Sequence, residues 1–427
     1  MTGVTFDDVD TFGSLKELYA EDSVYQEHIQ SSLYNFIKHA DDGEIEFDGS
    51  YFNQNVIWQV NESFGARNDN ERLPDPDFPK STFAKYRVKL NYSALEATTF
   101  AATRGHRNGR ANGKYLDDLI KGTLLSFMSN LDFDAYGNGR GYRATIETAT
   151  ATQSSFTVEF STRLRPGVRL DWYDSTLATK RGSIKIAVKG VDRINKTVHI
   201  DSTFGDGEVP AGATAGDVLV VYGALDLNEP SDGRHMAGLD RITDASVSLG
   251  SLSPSDYALW LPTNINAGGQ NPNQELLQQF WDSLYIISGV HPNRMVFNPA
   301  WKRGYLSGFL NQRRFNSNSF DTGATNITFS PVKMGQDEKG KKPTEFLMLE
   351  DKNCNPEDVF VWNHDAFCIG TDYAANPHLA DEDGAEFRYR QGFDSMSGFY
   401  RFWCQTVTKQ RNAIGKLSNH SVASGAI

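Results

Sequence analysis

The spacing of apolar residues changes period several times along this chain, and each change marks a separate part. From Ser81 to Phe100, "STFAKYRVKLNYSALEATTF" alternates. Tyr86, Val88, Leu90 and Tyr92 fall on one face, and Lys85, Arg87, Lys89 and Asn91 on the other, which predicts a half-buried strand. "NVIWQVNES" is its expected partner, and "FGARNDNERLPDPDFPK" lies between them. Pro74, Pro76 and Pro79 exclude a regular ladder in that connection. A two-stranded hairpin is marginal in water by itself. One this long, with an apolar face and a polar tip, needs a surface to lie on.

A period of 3.6 follows. Leu116, Leu119, Ile120, Thr123, Leu124, Phe127, Met128 and Leu131 fall at helical spacing, which predicts a helix from Lys114 to Leu131. Gly122 lies inside it at a cost of about 1 kcal/mol against alanine, so close packing is expected there. Gly137, Gly139 and Gly141 come after the helix. A phosphate-binding glycine loop precedes a helix and uses its positive N-terminus. These glycines meet the negative end instead, so they are expected to stop the helix and turn the chain.

Period two returns over residues 156–225. "PGVRLDWYD", "SIKIAVKGV", "TVHIDSTF" and "GDVLVVYGAL" are short strands joined by turns such as "DRINKT", and they predict a small closed barrel. "TIETATATQSS" and "LNEPSDGRH" flank it, so it reads as an insertion. Beyond it the pattern is mixed. In "NQELLQQFWDSLYIISG", Leu276, Leu277, Phe280, Leu284 and Ile287 share a helical face, with Gly289 as the cap. "NRMVFNP" is a short buried strand and "PAWKRGYLSGFL" a second helix with Pro299 in its first turn. "NITFSPVKMG", "TEFLMLED", "DVFVWNHDAFCIG" and "GFYRFWCQTVTK" are strands. Near the start, "SSLYNFIKHA" places Leu33, Phe36 and Ile37 on one helical face.

At 427 residues the chain has room for roughly two to four structural units. Its net charge of −12 argues against a primary role in gripping nucleic acid through phosphates. No apolar run is long enough to span a membrane, and "MTGVTFDDVDTFG" lacks the features of a secretion leader. Cys354, Cys368 and Cys404 show no paired spacing and are expected to be reduced and buried. The acids concentrate in residues 1–50, with Asp7, Asp8 and Asp10 first among them, opposed only by Lys16 and Lys38. "RGHRNGR", carrying Arg104, Arg107 and Arg110, is a basic cluster in an acidic chain. It is expected to receive the acidic arm of another subunit rather than nucleic acid.

Motifs for catalysis are missing. There is no GxxxxGK[ST], HExxH or GxSxG, and His291 and His364 have no second histidine at helical spacing, so both are expected to be hydrogen-bonded structural residues. Asp132, Asp134 and Gly137 hint at a calcium loop, but Tyr136 stands where a fifth-position ligand belongs. Asp381, Glu382, Asp383 and Glu386 are an acidic cluster better read as a solvated loop. The chain is therefore expected not to be an enzyme and to need no cofactor or metal.

The order of parts resembles the major capsid proteins of tailed bacteriophages, the Hong Kong 97 type fold. The residues that carry this are the hairpin around "AKYRVKLNYSALEATTF", the helix "GKYLDDLIKGTLLSFM", the barrel segment "RLRPGVRLDWYDSTLATKRGSIKIAVKGVDRINKTVHIDS" and the run "FWDSLYIISGVHPNRMVFNPAWKRGYLSGF". The resemblance implies an α+β fold. Its parts are an N-terminal arm (1–50), an extended loop (51–103), a peripheral domain with a spine helix (104–155), an inserted β-barrel (156–228), and an axial domain with the remaining peripheral strands (229–427). It implies a virion protein, assembled in the host cytoplasm, whose copies form hexamers and pentamers in an icosahedral head around double-stranded DNA. An acidic inner wall would let that DNA slide. A portal and a separate scaffolding protein are implied partners, since an arm of about 50 residues is short for a fused scaffold, and a cement protein is a further one. Inter-subunit contacts are expected at Arg67, Lys80, Lys85, Arg87, Arg104, Arg107, Arg110, Asp7, Asp8 and Asp10, with Gly122 in helix packing. Lys80, Lys85 and Lys89 are available for the loop cross-link some members form, but no pattern singles one out. Two other readings are an encapsulin-like shell, usually a shorter chain without this barrel, and a tail or receptor-binding virion protein. The latter needs an exposed aromatic platform, for which Trp58 and Trp172 are the candidates.

Overall fold

The computed structural model describes residues 32–40, 44–69, 71–98, 112–205, 207–225, 233–308, 347–371, 377–380 and 387–421. Helix α1 (Ser32–Phe36) comes first. The strands β1 (Glu46–Phe47), β2 (Tyr51–Gln59) and β3 (Lys80–Arg87) then form an antiparallel sheet in that order. This is the predicted hairpin, with residues 60–79 as its tip. After Val88 the chain enters β4 (Lys89–Thr98) and joins a different sheet.

That break corrects the predicted strand. Tyr86 is buried as expected, but Leu90 and Tyr92 are exposed, and Lys89 is buried in their place. Val88 lies between the two strands and donates its N–H to the Ser50 carbonyl at 3.1 Å. One extra residue shifts the inward set from even to odd positions. Lys89 is carried inside, where its Nζ donates to the Gly233 carbonyl at 2.8 Å.

Helix α2 (Asn112–Tyr136) runs past the predicted Leu131. It ends at the glycines, as expected. Gly137 donates its N–H to the Asp134 carbonyl at 3.0 Å, and Gly139 and Gly141 have φ of 82° and 68°. A Cβ on Gly141 would also strike Ala224.

The barrel closes in the order β10-β5-β6-β9-β8-β7. Its strands are β5 (Tyr142–Thr148), β6 (Ser155–Val158), β7 (Arg169–Tyr173), β8 (Lys180–Asp192), β9 (Thr197–Gly205) and β10 (Val218–Val221). It opens at Tyr142, ahead of the boundary at 156. The start of the Thr- and Ala-rich flank, residues 145–148, is part of β5, whose Ala144 and Ile146 face the barrel interior with Phe156 and Trp172. The interior is packed with apolar side chains, and Trp172 donates from Nε1 to Asp217 Oδ2 at 2.9 Å.

The remainder contains α3 (Leu239–Thr243), β11 (Thr263–Asn266), α4 (Gln274–Ser288), β12 (Arg294–Phe297), α5 (Pro299–Gly308), β13 (Leu347–Glu350) and β14 (Val359–Trp362). It continues with β15 (Phe367–Thr371), β16 (His378–Leu379), β17 (Arg388–Tyr389), β18 (Ser395–Thr408) and β19 (Ile414–Ser418). A mixed sheet runs β11-β19-β14-β12-β13. The long strand β18 collects β15, β16 and β17 and pairs with β4 from Ser395↔Thr98 to Cys404↔Lys89. β14 is buried on both faces. Phe360 and Trp362 join the main core with Leu33, Tyr34 and Phe52, while Val359 and Val361 face Leu277, Phe280 and Leu284 of α4.

Helix α4 ends at Gly289 as predicted, and the structure adds an N-cap at Asn273. Asn273 Oδ1 accepts from Leu276 N at 2.7 Å, and Gly289 closes the other end in the left-handed conformation. Ile287, expected on the inward face, is exposed. It sits in the last turn, beyond the reach of the sheet. Phe280→Ala is expected to cost about 3–5 kcal/mol through transfer and cavity terms. Ile287→Ala should change stability by less than about 0.5 kcal/mol. Denaturant melts of the two purified variants check both values.

Candidate assembly surfaces

A buried polar hub lies at the C-terminal end of α2. Asp132 and Asp134 are both buried there. A carboxylate at this end of a helix opposes the helix dipole, so each requires dedicated partners. Asp132 Oδ1 accepts the N–H groups of Leu33 (2.8 Å) and Tyr34 (3.0 Å), satisfying backbone donors in the first turn of α1. Its Oδ2 accepts from Asn353 Nδ2 at 3.0 Å. Asp134 meets Arg143 Nη1 at 3.0 Å and His235 Nδ1 at 2.7 Å. Tyr136 donates to Asp351 Oδ2 at 2.9 Å.

The barrel is clamped to the same place. Arg163 donates from Nε and Nη2 to the Asn353 carbonyl (3.0 and 2.8 Å) and lies over the Tyr136 ring. Arg165 bonds Ser129 Oγ and covers the Phe133 ring. Gly238 packs so closely on the last turn of α2 that a Cβ would overlap the Asp134 and Ala135 carbonyls. The arm helix, the barrel and the 351–354 loop therefore meet at one helix end. The sequence reading weighed Asp132 and Asp134 only as a calcium hint. Their partners are protein groups, and the overlooked signal was two acids in the last turn of a helix.

Burial, with Asp351 second, pushes the Asp132 carboxyl up to about 7, although the Leu33, Tyr34 and Asn353 donors pull it down. Burial also raises Asp134, but the charges of His235 and Arg143 outweigh it and hold that carboxyl below its ordinary value. The two neighbours thus have opposite pH slopes. Asp132 favours the folded state below its unfolded value of 3.8 and loses that contribution as pH rises towards 7. Asp134 stabilises above 3.8 and loses its contribution as pH falls.

Outside this hub, the hairpin tip is open. Phe64 is 96% exposed, Leu73 78% and Phe78 72%, with Val60 and Ile57 also uncovered. A second apolar area lies on one face of β4 and β18, where Leu90, Tyr92 and Phe399 are exposed. A third lies at the end of α4, where Ile286, Ile287 and Val290 flank Tyr285 stacked on His291 at 3.9 Å. Apolar residues exposed together in this way are the kind of surface that contacts between chains use.

The residues expected at subunit contacts divide as follows. Arg67 is exposed but binds its own tip, donating from Nε to the Arg72 carbonyl (3.0 Å) and from Nη1 to the Ala66 carbonyl (3.1 Å). Lys80 lies over the Trp58 ring at 5.3 Å. Lys85 and Arg87 are exposed on the outer face of β3. Gly122 is half-buried on α2. Arg104, Arg107, Arg110, Asp7, Asp8 and Asp10 lie outside the described residues, as do Asp381, Glu382, Asp383, Glu386 and the strand "NITFSPVKMG". Trp58 packs edge-on to Tyr257, and Trp172 is inside the barrel, so neither is an open platform.

The three cysteines are free and buried, and burial raises all three thiols. His364 departs from expectation, since its Nδ1 has no hydrogen-bond partner; burial, then the Arg294 charge, lowers its pKa. Among the described residues no group of His, Cys, Asp and Glu is arranged to hold a metal ion, and no helix is long and apolar enough to cross a membrane.

Comparison with solved structures places this architecture. A chain of the cyanophage A-1(L) capsid asymmetric unit matches at a TM-score of 0.51 and 9% identity, covering 94% of this chain and 95% of that one. The SrpI encapsulin of Synechococcus elongatus PCC 7942 matches at 0.45 and 8% identity over 99% and 98%, and a Mycobacterium phage Adephagia chain at 0.45 and 9% over 99% of each. The latter two scores add nothing to the assignment. No protein-family model and no curated protein matches the sequence. The fold is the α+β, Hong Kong 97-like capsid fold, with a six-stranded barrel inserted after its long helix.

Asp132→Ala strands two buried backbone donors and is expected to cost about 2–4 kcal/mol. Asp132→Asn should be nearly neutral. Asn353 Oδ1 has no partner in the parent, and a flipped Asn353 amide would accept from the new Nδ2. The Asn variant should also lose the fall in stability between about pH 4 and pH 7. Thermal melts across that range test all three expectations.

Proposed function

We propose that this chain is the major capsid protein of a tailed bacteriophage. Many copies, arranged in hexamers and pentamers, self-assemble into the icosahedral head that encloses double-stranded DNA. The observation that carries the reading is the hairpin. Its strands reach out about 30 Å at ~3.3 Å per residue and end in Phe64, Leu73 and Phe78, open to water. A monomer gains nothing from such a projection, whereas a neighbouring copy with an exposed apolar face can cover it. The shared fold supplies the matching precedent, a chain from a phage capsid.

In this reading residues 1–50 are the arm, 51–103 the extended loop, 104–155 the spine-helix region and 229–427 the axial domain with the remaining peripheral strands. The inserted barrel is counted from Tyr142. The role is mechanical rather than catalytic, and its site is the virion, after assembly in the host cytoplasm. A portal, a separate scaffolding protein and a cement protein on the outside are the further partners, and the net charge of −12 leaves packaged DNA free to move past the wall.

Electron microscopy of particles from cells expressing the chain with its scaffold should reveal closed shells. A chain that stays monomeric at every salt and scaffold concentration overturns the reading. A shell filled with protein cargo would point to a nanocompartment instead. Denaturing electrophoresis of the particles should give unlinked chains near 47.6 kDa. Gly122→Leu is expected to reduce shell yield by about tenfold or more through overpacking of α2, measured as the assembled fraction on a sucrose gradient.

A further inference from the structure

The barrel's β8–β9 hairpin carries a charge opposite to that of the chain as a whole. Between Lys180 and Asp201 there are six Lys or Arg and only Asp192 and Asp201 as acids. Lys180 and Arg181 turn to the barrel end, where they pair with Asp171 (2.7 Å) and Asp217 (3.2 Å). Lys185, with its Nζ over the Tyr222 ring at 5.3 Å, and Lys189 lie on β8, and Arg193 and Lys196 lie in the turn to β9, all at least partly exposed. The two acids are bent back on their own turns. Asp192 accepts from Ile194 N at 3.0 Å and Asp201 from Thr203 N at 2.9 Å. Ile194 stands at the tip of this basic hairpin, 80% exposed. The surface is thus basic with one apolar knob.

The tip of the long β2–β3 hairpin is its complement. Residues 61–79 hold Glu62, Asp69, Glu71, Asp75 and Asp77 against Arg67 and Arg72. Both arginines are engaged within the tip, Arg67 on backbone carbonyls and Arg72 on Asp75 at 2.7 Å. The surface is therefore acidic with several apolar knobs, among them Phe64 and Leu73. A patch on one part of a chain that complements a patch on another part makes a head-to-tail contact, which closes into rings when the rotation between copies permits.

We infer that the acidic hairpin tip of one copy docks on the basic β8–β9 hairpin of the barrel in a second copy. Opposed charge selects the partner and sets the register, and Ile194 meets the apolar residues of the tip. This rests on the self-assembly reading above and names the surfaces that one of its contacts uses. It gives the barrel a role in holding copies together, in addition to any role as a platform for an external protein. A chain that is acidic overall repels its own copies, so a contact between opposite patches is where such a chain gains orientation during encounter.

The test uses the full-length chain. Copies of natural and heavy-isotope composition are mixed, assembled, treated with a zero-length carbodiimide cross-linker and digested. Mixed-isotope links from Glu62 or Asp69 to Lys185 or Lys189 are expected. Their absence, or links only within one copy, overturns the inference even if shells form. If links form without shells, the contact stands and the shell reading fails. Lys189→Glu with Arg193→Glu and Lys196→Glu should lower the assembled fraction by about tenfold. Adding Glu62→Lys and Asp69→Lys should restore it to within about threefold of the parent. These positions are on the surface, and unchanged melting of each variant confirms folding. An unaffected assembled fraction, or no restoration by the second reversal, overturns the inference. So does loss of duplex DNA binding in the barrel variant without any intermolecular link, which would assign the patch to nucleic acid.

Discussion

The arm helix, the barrel and the loop after β13 are tied together by how one helix end is satisfied. The end of α2 carries Asp132 and Asp134, so negative charge is gathered where the helix dipole is already negative. Left in a low-dielectric interior, such a cluster would be costly. It is tolerated because donors converge on it from distant parts of the chain: Leu33 and Tyr34 amides from the arm, Arg143 from the barrel, His235 from the segment after it, and Asn353 from the loop after β13. Apart from Arg143, nine residues from Asp134, these donors lie about a hundred residues or more from the helix end in sequence. Each is positioned by a bond to the helix end, and a change at one bond is therefore felt by several elements.

That arrangement suits a part that must be stiff inside and adhesive outside. The barrel has its own packed interior and is held by Arg163 and Arg165 to the far side of the hub. The hairpin base is held by Phe52, Ala84 and Tyr86 in the main core, while its tip is left open. Stiff attachment matters because a projecting element that also moved freely would lose conformational entropy on docking. With the base fixed, the exposed apolar residues at the tip are presented in a defined direction.

Much of this was legible before any coordinates. The hairpin, the long helix with its glycine stop, the barrel strands and the capped helix α4 each announce themselves by local periodicity and punctuation. What escaped was non-local. Asp132 reads as a surface acid unless one knows that Leu33 and Tyr34 arrive beside it. Arg163 and Arg411 are buried bases whose acceptors lie far away in sequence, the Asn353 carbonyl for the first and the carbonyls of Ile242, Val247 and Asp244 for the second. The barrel boundary slipped because a Thr- and Ala-rich strand looks like a linker when its bulky neighbours are out of view. Ile287 was misplaced because helical periodicity cannot say where the opposing sheet ends.

The break at Val88 shows how little sequence change separates the two outcomes for a surface. Had the strand continued unbroken, Leu90 and Tyr92 would point inward with Tyr86, and Lys89 would be exposed. One inserted residue inverts the face. It places Leu90 and Tyr92 on the outside beside Phe399, where Tyr92 also accepts from Trp403 Nε1 at 3.3 Å. The cost is a buried lysine, and the Gly233 carbonyl offsets part of it. The same shift turns Leu95 and Ala97 inward and keeps Glu96 out of the core, so the new register also buries apolar side chains of its own. Leu90 and Tyr92 are left as apolar surface, and a second copy that covered them would add burial in the assembly.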